Sequence, residues 1–285
     1  MKTPERLQPL VEYGLVDEVI HPLMSGKEAD VFVVRHGGEL YCAKVYKAAR
    51  QRSFRQAARY TEGRKVRNSR RARAMEKGSR YGREQQEEAW QSAEVSALYR
   101  LAEADVRVPA PLAFVEGVLL MELVVDEAGE VAPRLAEVSM SAEQAREDFE
   151  LMLRYITRML CAGLVHGDLS EFNVLVDAGG PVIIDLPQAV DAASNNNAMA
   201  MFVRDVRRMT QYYGQFAAEL LETRYAEEIW GRFEAGDLEP ESPLSGTVED
   251  VPRDADVDAV MQEIRAVYRE HQLDQARRQQ ADEEG

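Results

Sequence analysis

His166-Gly167-Asp168-Leu169-Ser170-Glu171-Phe172-Asn173-Val174-Leu175, followed by Val182-Ile183-Ile184-Asp185, sets the reading of the whole chain. It places an aspartate, an asparagine five residues later, and a second aspartate at the end of an apolar strand. Moving a phosphoryl group off a nucleotide calls for that arrangement. One carboxylate accepts the proton of the acceptor hydroxyl, while an amide oxygen and a second carboxylate hold a divalent cation on the phosphates. Asp168 is the candidate base, Asn173 and Asp185 are the candidate metal ligands, and His166 supports the loop. A lone His-x-Asp arises by chance; the full set in this order seldom does.

The same chemistry requires a lysine on a strand to pair the phosphates and a helix glutamate to orient it. Tyr41-Cys42-Ala43-Lys44-Val45-Tyr46 supplies the lysine. Farther on, Trp90, Glu94 and Leu98 recur at a spacing of four, so Glu94 shares a helix face with apolar neighbours. A carboxylate on such a face is costly unless paired, and Lys44 is its natural partner.

Around these residues the patterning divides the chain. A short helix over 5–13 precedes strands at Glu18–Met24, Asp30–Arg35 and Glu39–Val45, the last two joined through the glycines of His36-Gly37-Gly38. A helix is expected over Glu84–Ala104, and a strand pair over Phe114–Val125 turning at Glu116-Gly117. Ser141 and Gln144 form a capping box opening a helix that ends at Gly163. Short strands follow at Val174–Val176 and Val182–Asp185, then helices over Asn197–Thr223, Ala226–Ala235 and Asp256–Gln280. The expectation is an α+β, two-lobed fold: a strand-rich lobe over 1–125 carrying a basic insertion at 47–83, a helical lobe over 126–246, and a C-terminal helix and charged tail over 247–285.

The net charge of −15 conceals a contrast. Lys47 to Arg83 carries fourteen Lys plus Arg against two acids, so it is +12 while the rest sums to −27. That argues against general nucleic-acid affinity and for one localised electrostatic role. The segment reads as a solvated loop or, less readily, as a contact for RNA or ribosome phosphates. Cys42 and Cys161 fit neither a disulfide framework nor a metal site. No apolar run approaches the length of a spanning helix, and the N-terminus lacks a secretory pattern, so a cytoplasmic protein without membrane contact is expected.

Ser25-Gly26-Lys27-Glu28-Ala29-Asp30-Val31, the HGDLSEFN run and Ile184-Asp185-Leu186-Pro187-Gln188-Ala189 together resemble the RIO family of atypical serine/threonine protein kinases, over about residues 18–224. The glycine-rich loop, the Asp-Phe-Gly and the Ala-Pro-Glu of ordinary protein kinases are missing, as in that family. The resemblance implies an ATP- and Mg2+-dependent kinase, with Mn2+ as a substitute cation, acting on Ser or Thr of a protein substrate, itself included. It makes Asp168 the catalytic base, Asn173 and Asp185 the metal ligands and Lys44 the phosphate-pairing lysine. Ser25, Gly26 and Lys27 would line the phosphate loop. Met121 would back the adenine, though its strand pattern equally permits plain core packing, and backbone groups of Glu122 and Val124 would meet the base edge. The family's aspartyl-phosphate would fall on Asp185. Rival readings are an ATPase switch working through that intermediate, a small-molecule phosphotransferase, and a non-catalytic RNA-binding scaffold.

Overall fold

Alternating apolar side chains from Glu18 to Tyr46 build three strands, β1 (Glu18–Ser25), β2 (Ala29–His36) and β3 (Glu39–Tyr46). The computed structural model describes residues 3–26, 29–47 and 93–248. Gly37 and Gly38 turn the β2–β3 hairpin at φ 59° and 92°, values that favour glycine. Strands β4 (Pro111–Val115) and β5 (Val118–Glu122) complete an antiparallel sheet of order β1-β2-β3-β5-β4. In register, Lys44 lies opposite both Val31 and Leu119.

The two faces of this sheet have different partners, so the central strands are buried on both sides: β3 from Cys42 to Tyr46 and β5 from Val118 to Leu120. Helix α1 (Gln8–Glu12) and the turn before it cover one face, burying Leu7, Leu10 and Val16 against Val34, Ala43, Val45 and Leu120. Tyr46 and Leu119 lie on the other face, in one cluster with Ala97, Leu98 and Leu101 of helix α2, described over 93–103. That cluster continues into the helical lobe and ties the two lobes together.

There α3 (Ala142–Cys161) opens on the expected box: Gln144 N donates to Ser141 Oγ at 3.2 Å, and Ser141 N to Gln144 Oε1 at 2.9 Å. Its buried face carries Phe149, Met152, Leu153, Ile156 and Leu160. Two small antiparallel ladders then frame the signature loop. β6 (Leu164–Val165) pairs with β9 (Val190–Asp191), and β7 (Val174–Asp177) with β8 (Gly180–Ile183). Helices α4 (Ala198–Tyr213) and α5 (Tyr225–Ala235) close the lobe. No helix among the described residues is long and apolar enough to cross a membrane.

Two expected elements are shorter in the fold. The helix expected to Thr223 stops at Tyr213, and a separate turn forms over Ala218–Glu222. Gly214 is the reason: the chain folds back so that Leu221 packs over it, and a Cβ there would lie 2.3 Å from Leu221 and 2.8 Å from the Thr210 carbonyl. The strand expected to reach Asp185 ends at Ile183, because Asp185 takes a left-handed backbone at φ 64° that no ladder accommodates. The onset of α2 with Trp90, the helix expected over 256–280, Lys27, and all of the basic insertion except Lys47 lie outside the described residues.

Candidate active site

Strand β3 delivers Lys44 to the cleft between the lobes, where its Nζ meets two carboxylates, Glu94 Oε1 at 2.7 Å and Asp185 Oδ1 at 2.9 Å. The second Glu94 oxygen accepts from Tyr46 Oη at 2.6 Å. Glu94 and Tyr46 are buried, and Lys44 is 9% exposed. Burial opposes the Lys44 charge, but the two carboxylates outweigh it and hold the ammonium well above its ordinary range. Asp185 also loses solvation, yet Lys44 and the more distant Arg134 hold its carboxyl below the usual value. Both groups therefore stay ionised throughout the neutral range.

Asp185 occupies its left-handed conformation at a cost of about 1 kcal/mol, and its neighbours explain why it persists. Ile184 N donates to Asn173 O at 3.0 Å, and the Ile184 carbonyl accepts from His166 Nε2 at 3.1 Å. Because Asp168 N donates to His166 Nδ1 at 3.2 Å, the proton of the neutral ring sits on Nε2, which makes it the donor to Ile184. One imidazole thus couples the Asp168 loop to the Asp185 turn. Asn173 Nδ2 donates to the Asp168 carbonyl at 2.9 Å, which closes the loop and leaves the amide oxygen as its remaining acceptor.

At the turn between β1 and β2, Ser25 Oγ donates to Asp30 Oδ1 at 2.6 Å, and Lys47 Nζ reaches Asp30 at 2.9 Å and the Gly26 carbonyl at 2.7 Å. Lys47, the first residue of the basic insertion, thus follows directly on β3 and closes on this turn. At the far end of β5, Met121 is half-buried against the core. The Glu122 N–H is already taken by Ala110 O at 2.9 Å, so of its backbone groups only the carbonyl is left for a base edge. The Val124 carbonyl accepts from Ala132 N at 3.0 Å, and its N–H finds no acceptor among the described residues. The Glu122 side chain is engaged elsewhere. Arg107 forks onto it at 2.8 and 2.9 Å and extends to Asp177 at 2.8 Å, linking the end of β5 to β7.

The RIO-domain family model matches residues 30–226. The chain belongs to the RIO family of serine/threonine protein kinases. The RIO-type serine/threonine-protein kinase Rio1 of Haloferax volcanii is 37% identical over 213 residues, covering 74% of this chain and 68% of that protein. The Schizosaccharomyces pombe serine/threonine-protein kinase rio1 is 29% identical, over 65% of this chain and 36% of that protein. The human serine/threonine-protein kinase RIO1 is 29% identical, over 74% and 36%. This RIO chain therefore spans little more than a third of the length of those two relatives.

Three residues of the RIO site went unread in the sequence, all on α4. Asp205 is 3% exposed, and its Oδ2 accepts from Gly167 N at 2.7 Å. Arg204 donates to the Gly167 carbonyl, so Gly167 is held through both its N–H and its carbonyl. Arg208 Nη1 donates to Asp168 Oδ1 at 3.0 Å. A signal for Asp205 existed: it shares the buried face of α4 with Phe202 and Met209, the same conflict that marked Glu94.

Burial pushes the Asp205 carboxyl up to about 6, against the pull of Arg204 and the loop N–H groups. A raised carboxyl contributes stability that is full below about 3.8 and lost as pH rises through about 6. Asp205→Asn removes that titration. Urea unfolding of both proteins from pH 4.5 to 7.5 should show the wild type gaining on the variant by about 2 kcal/mol as pH falls. A pH-independent difference would mean that the native carboxyl keeps its ordinary value.

Proposed function

We infer that the chain transfers the γ-phosphoryl group of ATP to a serine or threonine hydroxyl of a protein, its own chain included. The observation that carries this reading is the Lys44 ammonium held between Glu94 and Asp185, facing a loop that presents Asp168 and Asn173. Lys44 would bind the phosphates with its direction fixed by Glu94. Ser25, Gly26 and Lys47 would line the phosphate side, and Met121 the adenine. The Glu122 carbonyl and the Val124 N–H would meet the base edge. Asp168 would accept the hydroxyl proton as the new P–O bond forms and the bond to the ADP oxygen breaks.

The donor set suits Mg2+, or Mn2+ in its place. Asp185 stays ionised and Asn173 offers an amide oxygen, both hard ligands. No group of three or more Asp, Glu, His or Cys able to hold a metal forms among the described residues. A cation that keeps waters and takes its other ligands from phosphate oxygens fits such a sparse site. Bound there, it would neutralise charge on the phosphates, while Asn173 and Asp185 fix its position.

Incubation with γ-labelled ATP and Mg2+, with mass spectrometry of the protein and of an added protein acceptor, tests the reading. Label on Ser or Thr is expected. Label confined to Asp185, or released wholly as free phosphate, would replace it with an ATPase switch. We place the enzyme in the cytoplasm, and RNA or ribosome contact through the basic insertion is a second reading. If it holds, neutralising Arg67, Arg70, Arg71 and Arg73 should weaken salt-sensitive binding of ribosomal RNA in a filter assay. Wild-type protein that binds no RNA at ~0.15 M salt would remove that reading.

A further inference from the structure

Arg208 has no part in the phosphate side of the site, yet it sits on the candidate base. Helix α4 turns Arg204 and Asp205 toward Gly167, and one turn later turns Arg208 toward Asp168. Those first two residues, with Asn173 and His166, already fix the loop, so a further cation is not needed to hold it. Nor does Asp168 need a counter-charge to offset burial. The Arg208 and Asp168 side chains are 40% and 39% exposed. The pair forms part of the wall of an open cleft of about 440 Å3, continued by Gln211 on the same helix, by Gln215 in the turn after it and by Phe172, which is 54% exposed.

An acceptor hydroxyl must reach the Asp168 carboxylate, and Arg208 covers one of its oxygens. The other is met only loosely, by Gln188 Nε2 at 3.4 Å. An exposed ion pair of this kind contributes at most about 1 kcal/mol, so an arriving anion can take the guanidinium over. Of its five donors one is used on Asp168, which leaves an edge for a bidentate partner.

Building on the protein-kinase reading, we propose that Arg208 is its acceptor-specificity residue: it binds an anionic side chain, carboxylate or phosphate, close in sequence to the hydroxyl to be phosphorylated. In doing so it leaves Asp168 free to accept the proton. The anion would lie about 3 Å beyond the guanidinium, and extended chain advances about 3.4 Å per residue, so one or two residues separate it from the acceptor. Glu171 lines the same cleft and repels a second acid. The preferred acceptor therefore carries one such anion rather than an acidic run.

The test uses the full chain, ATP and Mg2+ with short peptides that share one serine. Its neighbours are alanine throughout, or carry a single glutamate, a single phosphoserine, a single lysine, or four glutamates. The wild type should favour the single-anion peptides over the alanine peptide by about tenfold in kcat/KM, the size of one charge-assisted pair. The four-glutamate peptide should do no better. Comparing glutamate with phosphoserine tells which anion the site takes. In Arg208→Gln the ratio should fall to about one, and Arg208→Lys should retain part of it. The ratio cancels any change in chemistry common to both peptides.

Binding of serine-to-alanine versions of the peptides, followed by fluorescence anisotropy, gives a readout independent of turnover and should lose its anion preference in Arg208→Gln. Transfer to all peptides alike, or a preference for lysine, would overturn the proposal while leaving the kinase reading intact. Label on no serine of any peptide or of the chain itself would overturn both.

Discussion

Asp168→Ala should lose phosphoryl transfer to protein by about 10³-fold, while ATP affinity should change by less than about threefold. The asymmetry follows from where the side chain points. Its oxygens meet Arg208 and Gln188 on the acceptor side of the loop, and no bond joins them to Lys44 or Asp185. General-base catalysis contributes 10² to 10⁴ in rate, and removing the base leaves phosphate binding alone. Asp185→Ala should behave differently. It takes away a carboxylate that binds Lys44 at 2.9 Å and is assigned to the cation, so Mg-ATP affinity and transfer fall together. Labelled-phosphate transfer and nucleotide titration on the two variants distinguish these patterns. Near wild-type transfer by Asp168→Ala would remove the base assignment; equal loss of ATP affinity in both would mean that Asp168 acts on the nucleotide.

The sequence was most legible where chemistry imposes a fixed spacing. His166, Asp168, Asn173 and Asp185 lie within twenty residues of one another, so local order alone disclosed them. Lys44 and Glu94 are fifty positions apart, and their contact was readable only because a carboxylate on an apolar helix face demands a buried cation. Asp205 obeys the same rule, but its partners are backbone N–H groups of a loop, which no side-chain pattern announces. Arg208 left no trace of that kind, since an exposed arginine on a helix is ordinary until the fold puts Asp168 in front of it. Lys47 was hidden by its company: it opens a long basic run, and only the pairing of Ala29 with Tyr46 shows that the end of β3 brings it to the turn between β1 and β2. The premature end of α4 likewise depends on Leu221 returning over Gly214, a contact between segments.

Glu94→Leu and Lys44→Met should each destabilise the protein by about 3 kcal/mol, yet the double variant Lys44→Met/Glu94→Leu should be more stable than either. The single changes strand a buried charge. Without Glu94 the Lys44 ammonium keeps only Asp185, and Tyr46 Oη loses its acceptor at 2.6 Å. Without Lys44 the Glu94 carboxylate, 2% exposed, keeps only that hydroxyl. Breaking a buried pair costs several kcal/mol, whereas apolar replacement of both members is often close to neutral. Activity should follow the opposite logic. Each single change should lower phosphoryl transfer by about 10² or more, because Glu94 acts only by aiming Lys44, and the double variant should be no more active than Lys44→Met. Urea unfolding and labelled-phosphate transfer on the three variants read the two cycles side by side. Recovery of stability without recovery of activity identifies the pair as a positioning device that the fold tolerates at a cost. Strictly additive losses in both measurements would mean that Glu94 and Lys44 act independently, and the orienting role of Glu94 would have to be abandoned.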